Sequence, residues 1–216
     1  MRLVTAIAAA MLLSVPAHAM DMHAHHPMPA KMSGKMGKVK RSAAIEAYIA
    51  SAGGMHQAMN ITYTGDADID FARGMVPHHQ GAVNMVEVLH KYGKDAELRE
   101  LGKRIVTAQN AEIGIMKRWL ETHDNPKLPA VSNARVDEYR AAMERMHQAM
   151  SIRYTGDADV DFVHGMIPHH QGAIDMAWIL LKHGHDPMLR DICHDVIRSQ
   201  QQEIAFMQDW LKRHGK

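Results

Sequence analysis

"DFARGMVPHHQGAVNM", residues 70 to 85, returns 91 positions later as "DFVHGMIPHHQGAIDM", residues 161 to 176. The two copies hold the adjacent histidines, the methionines, the proline and the glycines, while Val76, Val83 and Asn84 become Ile167, Ile174 and Asp175. A packing motif ordinarily fixes its apolar positions and lets its polar ones drift. Here the paired histidines and the methionines are the fixed ones.

Working outward at the same offset, Met55-His56-Gln57-Ala58-Met59 meets Met146-His147-Gln148-Ala149-Met150, and "YTGDADIDF" (63 to 71) meets "YTGDADVDF" (154 to 162). Gln109, Glu112, Ile113, Met116, Trp119 and Leu120 meet Gln200, Glu203, Ile204, Met207, Trp210 and Leu211. No gap is needed, which reads as a tandem repeat of a unit of about 90 residues. The chain divides into repeat 1 (41–123), a proline-bearing linker (124–132) and repeat 2 (133–216).

Each unit predicts three helices. The first covers 42–59 and 133–150. A "YTGDAD" turn supplies glycine and an aspartate N-cap to the second, over 68–92 and 159–183, each ending before a glycine. Pro77 and Pro168 fall inside the second helices, where proline removes a backbone bond and predicts a kink. The third covers 95–123 and 187–214. No stretch reads as a strand. The fold class is all-α: four long helices in an antiparallel bundle, with two shorter ones alongside.

Residues 1–19 have one cation, Arg2, a short apolar run and Ala17-His18-Ala19, which read as a cleavable signal peptide. An exported, periplasmic chain with no membrane insertion is expected. Residues 20–40 carry eight Met and His with almost no large aliphatics, and are expected to be disordered. Without Arg2 the 24 remaining basic residues balance 24 acidic ones, which gives no electrostatic reason to bind nucleic acid. The single cysteine, Cys193, rules out an internal disulfide and reads as a small buried residue. Methionine (19) and histidine (17) are the unusual entries.

At about 100° per residue, Phe71, Met75, His78, His79, Ala82 and Met85 share an arc of about 120°. Phe71 and Ala82 on that arc turn it inward. Gln109, Glu112, Ile113, Met116, Trp119 and Leu120 form a comparable stripe. Imidazoles, thioethers, an amide and a carboxylate therefore converge on the interior, twice. They can satisfy one another, His78 or His79 with Glu112 and Gln109, the methionines then being filler. Coordination of a soft metal accounts better for adjacent histidines flanked by methionine in both units. Thioether sulfur selects Cu(I), or Ag(I) as its mimic, and imidazole serves copper in either state.

"DFARGMVPHHQGAVNM" and "DFVHGMIPHHQGAIDM", each followed by Q-x-x-E-I-x-x-M-x-x-W-L at 109–120 and 200–211, resemble the bacterial domain-of-unknown-function family 305. That family is ferritin-like in fold and includes periplasmic copper-binding proteins. The resemblance implies copper binding outside the cytoplasm, with Cu(I) preferred, and a part in copper tolerance or handling. Position by position it nominates Met75, His78, His79 and Met85, and Met166, His169, His170 and Met176, with Met116 and Met207 facing them. The partner implied is the metal ion, with a copper exporter or another periplasmic copper protein at handover.

Two other functions compete with a non-enzymatic copper binder. A ferritin-like di-metal oxidase needs Glu-x-x-His on two helices. Glu87-x-x-His90 and Glu144-x-x-His147 supply it, yet each glutamate is lost at the repeat offset, to Trp178 and Gly53. A metal-responsive periplasmic chaperone or sensor would use methionine for promiscuous contact. The stripes Met55, His56, Met59 and Met143, Met146, His147, Met150 are compatible with core packing or with ligation. The chain has no phosphate-binding glycine loop and no nucleophile elbow.

Overall fold

The computed structural model describes residues 42–124 and 132–216. The expected signal peptide, the Met/His-rich tail and most of the linker lie outside those residues. Six helices and no strand make up the described chain: α1 (Ala43–Ala58), α2 (Ala67–Tyr92), α3 (Ala96–His123), α4 (Ala134–Met150), α5 (Ala158–His183) and α6 (Pro187–Arg213). The all-α expectation holds, and the bounds of α2 and α5 differ by 91 residues.

Every helix begins at a side chain that can accept from the first turn: Ser42, Asp66, Asp95, Asn133, Asp157 and Asp186. Before α2 the turn closes on Asp70, whose carboxylate accepts from Thr64 N, Thr64 Oγ1 and Gly65 N. Gly65 takes φ 79° and its counterpart Gly156 takes φ 89°, a region that side chains with a Cβ avoid. Both α2 and α5 continue through Pro77 and Pro168 without interruption.

α2 and α5 end before a glycine, as expected. Gly93 (φ −75°) and Gly184 (φ −84°) are extended rather than left-handed. A Cβ on Gly93 would stand 2.5 Å from Asp159 Oδ1, and one on Gly184 would stand 2.5 Å from Asp68 Oδ1. Glycine is required there for close approach. Asp159 accepts from the amides of Lys94 and Asp95, and Asp68 accepts from those of His185 and Asp186. Each repeat thus caps the α-turn of the other.

These ties run α2 and α5 antiparallel as the central pair. α3 and α1 pack on α2, and α6 and α4 pack on α5. Tyr48 Oη donates to Ala158 O, and Tyr139 Oη donates to Ala67 O, so each short helix also grips the opposite repeat. At the far side Trp119 Nε1 donates to Asp186 Oδ2, and Arg213 pairs with Glu97.

Candidate functional site

All ten nominated side chains lie in the interior. His78, His79, His169, His170, Met75, Met116, Met166 and Met207 have no exposed surface, while Met176 and Met85 retain 1% and 4%. The inward arc read from the sequence is the buried face of α2 and α5.

The histidines hold distinct positions. His78 Nε2 donates to His169 O at 3.1 Å, and His169 Nε2 donates to His78 O at 3.0 Å. Their ring centroids are 3.8 Å apart. The pair sits where α2 and α5 cross. His79 Nε2 instead reaches Glu112 Oε2 at 2.6 Å, and His170 Nε2 reaches Glu203 Oε2 at 2.7 Å. The mutual satisfaction weighed from the sequence is therefore present for His79 with Glu112, but not for Gln109, whose amide is buried and unpaired.

A carbonyl or carboxylate oxygen only accepts, so the hydrogen in all four contacts is on Nε2. In a neutral ring that leaves Nδ1 with a lone pair and no proton. Nδ1 of His78, His79, His169 and His170 is buried and pairs with no described atom. Burial, reinforced by the neighbouring imidazoles, holds the pKa of His78 and His169 well below the ordinary histidine value, so both are neutral at neutral pH. Leaving a buried acceptor unmet costs about 1–3 kcal/mol per atom. Ligating histidines characteristically donate their other nitrogen to a carboxylate or carbonyl, which fixes tautomer and ring orientation. The hydrogen bonds here have that form, and they leave free the atom a metal would take.

The sulfurs surround these rings. Met75 precedes His79 by one turn of α2, and Met116 follows Glu112 by one turn of α3, so the His79–Glu112 contact brings both thioethers to the same level. The thioethers pack across the repeats. Met75 and Met116 share a buried cluster with Met176 of the other repeat, and Met166 and Met207 share theirs with Met85. The antiparallel crossing is the cause: Met176 Sδ lies 3.9 Å from where a Cβ on Gly74 would stand, and Met85 Cε lies 2.9 Å from that position on Gly165.

Several participants carried no nomination. Glu112 and Glu203 orient the second histidine of each pair, and their duplication was the available signal. Met55 and Met146 pack on Gly81 and Gly172, the glycines that follow HHQ, at distances no Cβ would permit. Cys193 is buried as expected, and burial pushes its thiol pKa up, which makes it a poor thiolate ligand. His123 and His214 stack on Trp119 and Trp210. Glu87 and Glu144 of the two Glu-x-x-His segments are exposed. Among the described residues no three His, Cys, Asp or Glu side chains come together in a metal-holding group, so any ion in this core would draw on thioethers.

A family model described as "Domain of unknown function (DUF305)" matches residues 68–211. Among solved structures, CopM in its Cu(I)-bound form is 32% identical, with a TM-score of 0.53, covering 68% of this chain and 96% of CopM. CopM has also been solved in Cu(II)-bound and Ag-bound forms. A DUF305 protein from Streptomyces coelicolor is 26% identical with a TM-score of 0.55, covering 71% of this chain and 96% of the other. Uncharacterized protein L153 of Acanthamoeba polyphaga mimivirus is 40% identical over 53 residues, 24% of this chain and 35% of that protein. The chain thus spans about a third of the length of that curated relative.

Proposed function

This chain belongs to the DUF305 family, and on that premise we propose that it is an exported, periplasmic copper-binding protein that sequesters or hands over Cu(I) through buried Met/His sites. It binds its ion rather than transforming a substrate, and its contribution is to copper tolerance. The observation that carries this reading is the set of four buried imidazoles, each fixed through Nε2 and each with an unpartnered Nδ1, lying among six buried thioethers. Neutral nitrogen and thioether ligands suit a soft monovalent ion, since they add no charge that would itself need burial.

The related CopM structures with Cu(I), Cu(II) and Ag support copper as the ion. The signal-peptide-like first 19 residues support export, and no described helix is long and apolar enough to cross a membrane. Thioethers also suit an oxidising compartment, where a thiolate site is lost to disulfide chemistry. In this account each ion is held by Met75, Met116 and Met176 with His79, or by Met166, Met207 and Met85 with His170. His78 and His169 offer their Nδ1 atoms from the crossing between the two. A copper exporter or another periplasmic copper protein is the recipient at handover.

The test is anaerobic titration of the mature chain with Cu(I) against a chromophoric chelator. The comparison is a variant carrying Met75→Leu, Met116→Leu and Met176→Leu, which keeps apolar volume and removes sulfur. The variant is expected to lose tight binding attributable to one cluster while unfolding at a similar denaturant concentration. Equal binding by both proteins would contradict the assignment.

A further inference from the structure

The repeat brings a second histidine pair together, at the surface. His56 near the end of α1 and His147 near the end of α4 stack with ring centroids 4.0 Å apart and planes 27° from parallel. Both are exposed, and neither imidazole hydrogen-bonds to any described residue. His56 lines a cleft whose wall also includes Met59, Met143, Arg140 and Glu144, while His147 stacks on His56. Two exposed imidazoles from segments 91 residues apart, with free nitrogens and thioethers beside them, exceed what packing alone requires.

We propose that His56 and His147, with Met59 and Met143, form a further site for a soft monovalent metal ion, open to solvent. Imidazole lone pairs lie in the ring planes, so each exposed ring must turn edge-on out of the stack to present one nitrogen to a common ion at about 2.0–2.1 Å. Thioethers in the same cleft favour Cu(I) or Ag(I) over a hard divalent ion. The ring contact makes the site depend on both repeats at once. Behind it, Met55 and Met146, the residues immediately before His56 and His147, pack on Gly81 and Gly172 of the buried HHQG segments. The surface site is therefore one side chain away from the buried motif, where an arriving ion would first be held. Its choice of ion rests on the copper reading above; its existence does not.

The experiment is an Ag(I) titration of the full mature chain carrying carbon-13 methionine methyls, followed by NMR. Methyl resonances of Met59 and Met143 are expected to move in the parent and to stand still in His56→Ala and in His147→Ala, each single change acting as strongly as the pair. Both positions are exposed, so these variants should keep the fold. Methyl signals that ignore Ag(I) in the parent, or that still move in the double variant, would overturn the proposal. If Met59 and Met143 respond while Met75 and Met116 do not, the surface site stands and the buried-site reading fails.

Discussion

His78 and His169 each donate Nε2 to the other's backbone carbonyl, at 3.1 and 3.0 Å, so two residues at equivalent places in the two repeats fix each other's tautomer. Neither can turn its Nε2 to a ligand without breaking a buried hydrogen bond on the partner helix. Nδ1 is the nitrogen left free.

This pair gives folding a pH dependence of definite sign. In the unfolded chain a histidine titrates near 6.5, whereas in the fold burial holds both values well below that. Between those limits the unfolded state binds more protons, so stability is full above about pH 6.5 and is lost as pH falls. Two such groups give a slope of up to about 2.7 kcal/mol per pH unit. Urea unfolding between about pH 7 and pH 5.5 should reveal it. His169→Gln should shallow the slope, and an unchanged slope would argue against neutral burial.

Glu112→Gln and Glu203→Gln replace the carboxylates that His79 and His170 meet at 2.6 and 2.7 Å. Loss of an orienting partner of this kind typically weakens metal affinity by about 10–100-fold. Each single variant should weaken one buried site and leave the other intact. Competition titration resolves this, because the two sites then differ in affinity.

Gly81→Ala and Gly172→Ala should each destabilise by about 1–3 kcal/mol through overpacking. A Cβ would meet Met55 Cγ at 2.6 Å in the first case and Met146 Sδ at 2.6 Å in the second. Gly53→Ala is the contrast. Nothing lies within 4 Å of its Cβ position, and α1 is helical there, so stability should rise by up to about 1 kcal/mol. Thermal unfolding of the three variants decides whether the motif glycines are packing sites or tolerant ones.

Tyr139→Phe removes the donor to Ala67 O, a buried contact joining α4 to the start of α2. The expected cost is about 1 kcal/mol, plus the unmet carbonyl. Tyr48→Phe should cost a similar amount at Ala158 O. A much smaller loss would mean that these ties are incidental to how the repeats hold together.

Much of this was readable beforehand because helical period and capping chemistry are local. The inward arc of α2, the aspartates that begin α2 and α5, and the all-α class follow from spacing alone. A wheel treats one helix at a time, so it does not show that the antiparallel crossing packs Met176 with Met75 and Met85 with Met166. The ends of α2 and α5 before Gly93 and Gly184 are legible too, but the close approach of an aspartate from the other repeat is not. The stacking of His56 on His147 had no local signal, since both residues lie on exposed faces whose meeting depends on tertiary placement.

The most direct test of the central claim is nitrogen-15 NMR of histidine side chains in the mature chain as Ag(I) is added. Nδ1 of His79 and His170 should shift and couple to silver while Nε2 stays protonated against Glu112 and Glu203. Silver coupling at Nε2, or imidazole signals unchanged at saturation, would contradict it.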